Sequence, residues 1–135
     1  MQFIDTNVFL RFLTKDDPKK AASCRKLIQR AAEGELKLYT TDLVIAELIW
    51  VLQSPKTYNL KPSEIFEIIM PLLMIKNLYF PCKKVFPDIM ELFITENIDF
   101  IDAYNSEIMR DRKIETIYSY DKHFDQLPDI VRQEP

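Results

Sequence analysis

One glycine, one histidine and two cysteines are all that this chain of 135 residues carries of those types, and each scarcity excludes something. A phosphate-cradling loop of the GxGxxG or GxxxxGKS/T kind needs several glycines, so with Gly34 alone most nucleotide-binding readings fall away. Cys24 and Cys82 have no CxxC partner. They read as reduced, partly buried thiols of a cytoplasmic protein, a single disulfide being the alternative. Long apolar runs are missing too: the longest, Leu43 to Leu52, is interrupted by Glu47 and is too short to span a bilayer. Met1 to Asp5 has no basic stretch and meets an acid at once, so it does not read as a signal peptide. Cations are not in excess, with 18 Lys and Arg against 21 Asp and Glu and a net charge of −3. That balance argues against a purely electrostatic nucleic-acid binder.

What is present is patterned. The length and the 47% hydrophobic content are those of one globular domain, residues 1–135, with no repeat or linker. Charge is unevenly spread: residues 11–30 hold seven Lys and Arg against two Asp, and residues 85–107 hold six acids and no Lys or Arg. An acidic pocket beside a basic face would produce that asymmetry, as would two solvated helix faces of opposite sign.

Periodicity predicts strands near 2–4, 36–40, 78–80, 116–119 and 130–132, separated by helices. Asp17-Pro18 is an N-cap followed by proline at the first helical position, and Gly34 is the matching stop. Helices are expected over 7–15, from Thr40 or Thr41 to Gln53, over 63–75, over 86–95 and from Asp99 to about Arg112. Pro71 should kink or split the fourth of these six helices. Strands alternating with helices predict an α/β fold with a mostly parallel sheet, whose ligand crevice lies beyond the carboxyl ends of the strands.

Several acids stand out. Glu47 is the one polar residue among ten in Leu43–Leu52, on a helix apolar nearly all round, which predicts a buried carboxylate in need of a counter-charge. The alternatives are a thin exposed stripe or an arginine partner. Asp5 ends the first strand, where an N-cap would serve equally well. Asp99 and Asp102 share a helix face, and a capping box explains them nearly as well as a site does. Asp121 closes a strand in Ser119-Tyr-Asp-Lys-His-Phe124. His123, without a His or Cys at ligand spacing, reads as a surface residue.

Together, Phe3-Ile4-Asp5-Thr6-Asn7, Ala46-Glu47-Leu48, Asp99-Phe-Ile-Asp102-Ala103 and Ser119-Tyr-Asp121-Lys-His-Phe124 resemble the PIN domain, and more narrowly VapC-type toxins of toxin–antitoxin pairs. The resemblance spans nearly the whole chain. It implies a three-layer α/β/α sandwich with a mostly parallel central sheet of four to five strands. It also implies a metal-dependent endoribonuclease whose four carboxylates are Asp5, Glu47, Asp102 and Asp121, with Asp99, Thr6, Asn7 and Ser119 as accessory groups. Ser119 stands where the family usually has threonine.

Clustered carboxylates of this kind suit Mg²⁺ or Mn²⁺. Basic residues among Arg11, Lys15, Lys19, Lys20, Arg25 and Lys26 are candidates to follow an RNA backbone. A cognate antitoxin and a homodimer are expectations carried by the resemblance, and the apolar faces around residues 65–75 are a plausible interface. Two competing readings remain: a PIN fold that only binds RNA or protein, and a Mg²⁺-dependent phosphatase of the haloacid-dehalogenase type. The phosphatase wants a second aspartate two residues after the first, where this chain has Asn7.

Overall fold

A computed structural model describes all residues 1–135. The chain forms two compact units, residues Met1–Lys83 and Lys84–Pro135.

The first unit opens with β1 (Gln2–Phe3), followed by α1 (Thr6–Thr14), α2 (Pro18–Ala32), β2 (Leu38–Tyr39), α3 (Asp42–Gln53), α4 (Pro62–Leu73) and β3 (Leu78–Tyr79). Its three strands pair in parallel in the order β1-β2-β3. Helix boundaries follow the local chemistry. Lys15 closes α1 in the left-handed region, and the Asp17 side chain accepts the Lys20 N–H to open α2, with Pro18 at the first helical position. Thr41 caps α3 by accepting from Val44, and the Glu64 carboxylate accepts the Lys61 N–H at the start of α4.

Gly34 follows α2 with φ +88°, a conformation that costs a residue with a Cβ about 1–2 kcal/mol. A Cβ there would meet only Asn77 Nδ2, at an ordinary 3.7 Å. Gly34→Ala should therefore lose about 1–2 kcal/mol on backbone grounds alone, measurable by urea denaturation. A loss beyond that range would point to a steric clash that the packing does not contain.

Two expectations are corrected in this unit. Pro71 does not split its helix, because α4 runs unbroken from Pro62 to Leu73. A proline costs one bond, from its own position to the carbonyl four residues earlier at Glu67, and the helix end beyond it is still closed by the Met74 N–H on the Met70 carbonyl at 3.1 Å. Glu47 is exposed rather than buried. Helix α3 turns Ile45, Leu48, Ile49 and Leu52 into the core, and its opposite face carries Leu43, Glu47 and Trp50. Leu43 is 81% exposed and Trp50 69%, so an apolar composition all round did not mean burial all round.

The second unit holds α5 (Phe86–Thr95), α6 (Phe100–Asp111), β4 (Thr116–Tyr118), a 3-10 turn (Lys122–Gln126) and β5 (Val131–Gln133). Phe86, Ile89, Met90 and Phe93 from α5 and Phe100, Ala103 and Met109 from α6 are buried, and Phe93 meets Phe100 edge-on at 5.9 Å. Strands β4 and β5 pair in parallel, with Thr116 opposite Val131 and Tyr118 opposite Gln133. The α/β class and the five parallel strands are as expected. The single central sheet is not: the hydrogen bonds divide the strands into a ladder of three and a ladder of two.

Candidate active site

In the first unit the site residues gather where β1 passes into α1. The buried Thr40 hydroxyl donates to the Ile4 carbonyl at 2.9 Å, and the Ile4 N–H donates to the Tyr39 carbonyl at 2.9 Å. These bonds hold the end of β1 in register with β2. Asp5 then occupies the N-cap position of α1 with extended backbone angles, yet its side chain makes no capping bond. The capping role that would explain this aspartate is not performed, and its carboxylate stays exposed at the positive end of a helix. Thr6, buried, donates its hydroxyl hydrogen to Glu47 Oε2, tying α1 to α3. Asn7 is exposed on the first turn of α1.

In the second unit Asp99 caps α6, accepting the Asp102 N–H at 2.9 Å. Asp102, half-buried on the first turn, comes together with Asp121 and His123. Each offers one ligand atom, and the three lie within 4.8 Å of one another. Asp121 ends the run from β4 and caps the 3-10 turn, accepting the His123 N–H at 2.9 Å. Its own N–H donates to the Ser119 hydroxyl at 3.0 Å, so the serine that replaces threonine makes a hydrogen bond at this position. Ser119 is itself held, its N–H donating to the Gln133 carbonyl at 2.9 Å and its carbonyl accepting from Arg132 at 2.9 Å.

His123 is the residue that sequence reasoning set aside. It is exposed, as expected of a surface histidine, but its Nδ1 lies 3.0 Å from Asp121 Oδ1. A signal existed: an aspartate that accepts the N–H two residues on forms a tight local turn. That turn brings the residue at i+2 back over the carboxylate.

The electrostatics of the cluster are lopsided. Burial pushes the Asp102 carboxyl above its ordinary value, and the nearby Asp99 and Asp121 carboxylates push it further the same way. The His123 N–H bond, with the imidazole beside it, holds Asp121 below the usual range. Such a pair strains against its own charge and is relieved by a cation. The donor set fits one. Octahedral Mg²⁺ or Mn²⁺ with bonds of about 2.1 Å places its ligands roughly 3 to 4.2 Å apart, within the spread of these three atoms.

The structure therefore assembles Thr6 with Glu47 beside Asp5 in one unit, and Asp102, Asp121 and His123 beside Asp99 in the other. No helix is long and apolar enough to cross a membrane. None of the curated proteins matches the chain. A family model for the PIN domain matches residues 3–130, a span that includes Asp5, Thr6, Glu47, Asp99, Asp102, Asp121 and His123. On that match the chain belongs to the PIN domain family, a metal-dependent nuclease fold.

Proposed function

We propose that this protein is a Mg²⁺- or Mn²⁺-dependent endoribonuclease that hydrolyses RNA phosphodiester bonds with an activated water. The observation that carries the reading is the Asp102–Asp121–His123 donor set, in a chain whose residues 3–130 match the PIN domain. Asp102 and Asp121 would hold the metal, with Asp5 as the family resemblance assigns it, and Glu47 would act on the attacking water. A metal held there would lower the pKa of a water and offset charge on the scissile phosphate.

The chain's own groups supply the rest. Glu47, with one oxygen held by Thr6, accepts the proton of the attacking water on its other oxygen. The water oxygen bonds to phosphorus, the bond to the leaving ribose oxygen breaks, and that oxygen takes a proton from solvent. Ser119 fixes the backbone of Asp121, so the carboxylate does not reorganise as charge develops. His123 would add an imidazole to an oxygen-rich set, a donor that Mn²⁺ accepts more readily than Mg²⁺ does.

The finer reading is a toxin acting in the cytoplasm as a homodimer and held in check by a cognate antitoxin. It rests on the resemblance to VapC-type proteins at Phe3–Asn7, Asp99–Ala103 and Ser119–Phe124. Growth arrest on expression, relieved by co-expressing the product of the adjacent reading frame, is its test. The enzymatic reading has a simpler one. Purified protein with Mg²⁺ or Mn²⁺ should cut RNA, and EDTA should stop it. Cleavage that survives EDTA would overturn the metal mechanism, and no cleavage with either ion would favour a fold that only binds.

A further inference from the structure

Of the six cations that sequence reasoning offered for RNA contact, three come together. Helices α1 and α2 border a groove of about 710 Å³ lined by Asn7 and Arg11 from α1 and by Lys19, Lys20, Ser23 and Cys24 from α2. The spacing explains the lining. Asn7 and Arg11 are four apart on α1, as are Lys19 and Ser23, and Lys20 and Cys24, on α2, so each set shares one helix face. No acid lines the groove, in a chain whose acids outnumber its cations. Arg11 and Lys19 form no salt bridge. Lys20 has one, at 3.6 Å to the partly exposed Asp17, and exposed pairs of that kind are worth little and readily exchanged.

Resting on the ribonuclease reading, we infer that this groove carries the sugar–phosphate backbone of the RNA, with Arg11, Lys19 and Lys20 each meeting a phosphate. The groove starts at Asn7, two residues after Asp5 and next to Thr6, which holds Glu47. Arg11 lies one turn further, about 6 Å along the helix. A strand with its scissile bond at the carboxylates thus has cations along its path on the same helix. Guanidinium suits a phosphate through paired N–H bonds, and the two ammonium groups serve as point charges. Asn7 and Ser23 are groups that can bond ribose hydroxyls.

The experiment measures binding of a labelled oligouridine by fluorescence anisotropy in EDTA across a salt series, and cleavage kinetics with Mn²⁺. Each phosphate contact to a single strand contributes about 0.7 to the slope of log K against log salt. The triple variant R11Q/K19Q/K20Q should therefore lower that slope by about 2 and raise KM with kcat nearly unchanged. K37Q/K56Q/K76Q removes the same charge from exposed lysines outside the groove and should leave slope and KM as they are. Melting curves confirm that both variants fold.

An unchanged slope in the groove variant, or an equal drop in the control, would overturn the inference. Binding of polyglutamate that the groove variant alone abolishes, with RNA binding intact, would overturn it in favour of an acidic protein segment. The two readings can fail separately. If wild-type protein cuts no RNA but its salt slope still depends on the groove, the nuclease reading falls and the groove stands. If it cuts RNA with KM indifferent to the groove, the groove alone falls.

Discussion

Asp102→Asn should lower RNA cleavage by about 10²–10³-fold, the scale of removing one preorganised electrostatic group, while making the metal-free protein slightly more stable. The two halves of that result have one cause. Without a cation, Asp102 is half-buried and faces Asp99 and Asp121, so ionising it works against folding. The asparagine keeps the shape and its N–H bond to Asp99 but removes the like-charge repulsion. Exposed like-charge pairs cost a few tenths of a kcal/mol, which places the gain in Tm at about 1–2 °C.

With metal the order reverses. An ion that binds only the folded wild type stabilises it by about 2.7 kcal/mol at a hundred times its Kd, and the variant should show little of that gain. Differential scanning fluorimetry with and without Mn²⁺ reads both effects. A variant that loses activity yet keeps the full metal-induced shift would remove Asp102 from the metal's ligands. A metal-free Tm below that of the wild type would give the carboxylate a structural role instead.

Arg110→Met should destabilise the protein by about 2–3 kcal/mol, which is below the cost of breaking a fully buried pair because the arginine is partly exposed. Arg110 is the hub of an ion network in the second unit. It donates to Asp129 through Nε and Nη2 at 2.6 and 2.7 Å and to Glu107 through Nη1. Glu107 is 7% exposed on α6, and methionine would leave its carboxylate with no counter-charge. Asp129 is more exposed, and its share is screened by solvent. The expected fall in Tm is about 6–10 °C. Glu107→Gln should cost less, because the amide oxygen still accepts from Arg110.

The pH dependence follows from Asp129, which the Arg110 guanidinium holds below its ordinary value. A depressed carboxylate stabilises the fold above the unfolded pKa, and that contribution is lost as pH falls through the folded value. In Arg110→Met this part of the acid-side decline should be absent. Should R110M melt no lower than E107Q, the network would not be holding α6 to the segment before β5.

Local chemistry in this chain is legible because it needs only neighbours. Asp17-Pro18, Gly34 and Thr41 each mark a helix end by a bond or a backbone angle that involves residues within four positions. The strands alternate with helices at the positions that periodicity indicates, and the four motif segments by themselves resemble the PIN domain. Burial is another matter. Glu47 sits in ten residues of which nine are apolar, and composition alone puts it inside. It lies outside because helix α3 has one packed face, and only contacts made by distant residues decide which face that is.

His123 was lost for the opposite reason. Its interest comes from the turn at Asp121 and from Asp102, nineteen residues earlier, and no spacing rule joins those three. The sheet was misjudged likewise: five parallel strands can be read from periodicity, but which edges share hydrogen bonds depends on how short the strands end up being. The sequence by itself therefore determined the element types, their caps, the family and the acidic residues worth testing. The tertiary structure decided that Asp5 is left uncapped, that Thr6 grips Glu47, that His123 joins Asp102 and Asp121, and that three cations share one groove. Most of these depend on how residues far apart in the chain approach one another, and periodicity carries no information about approach.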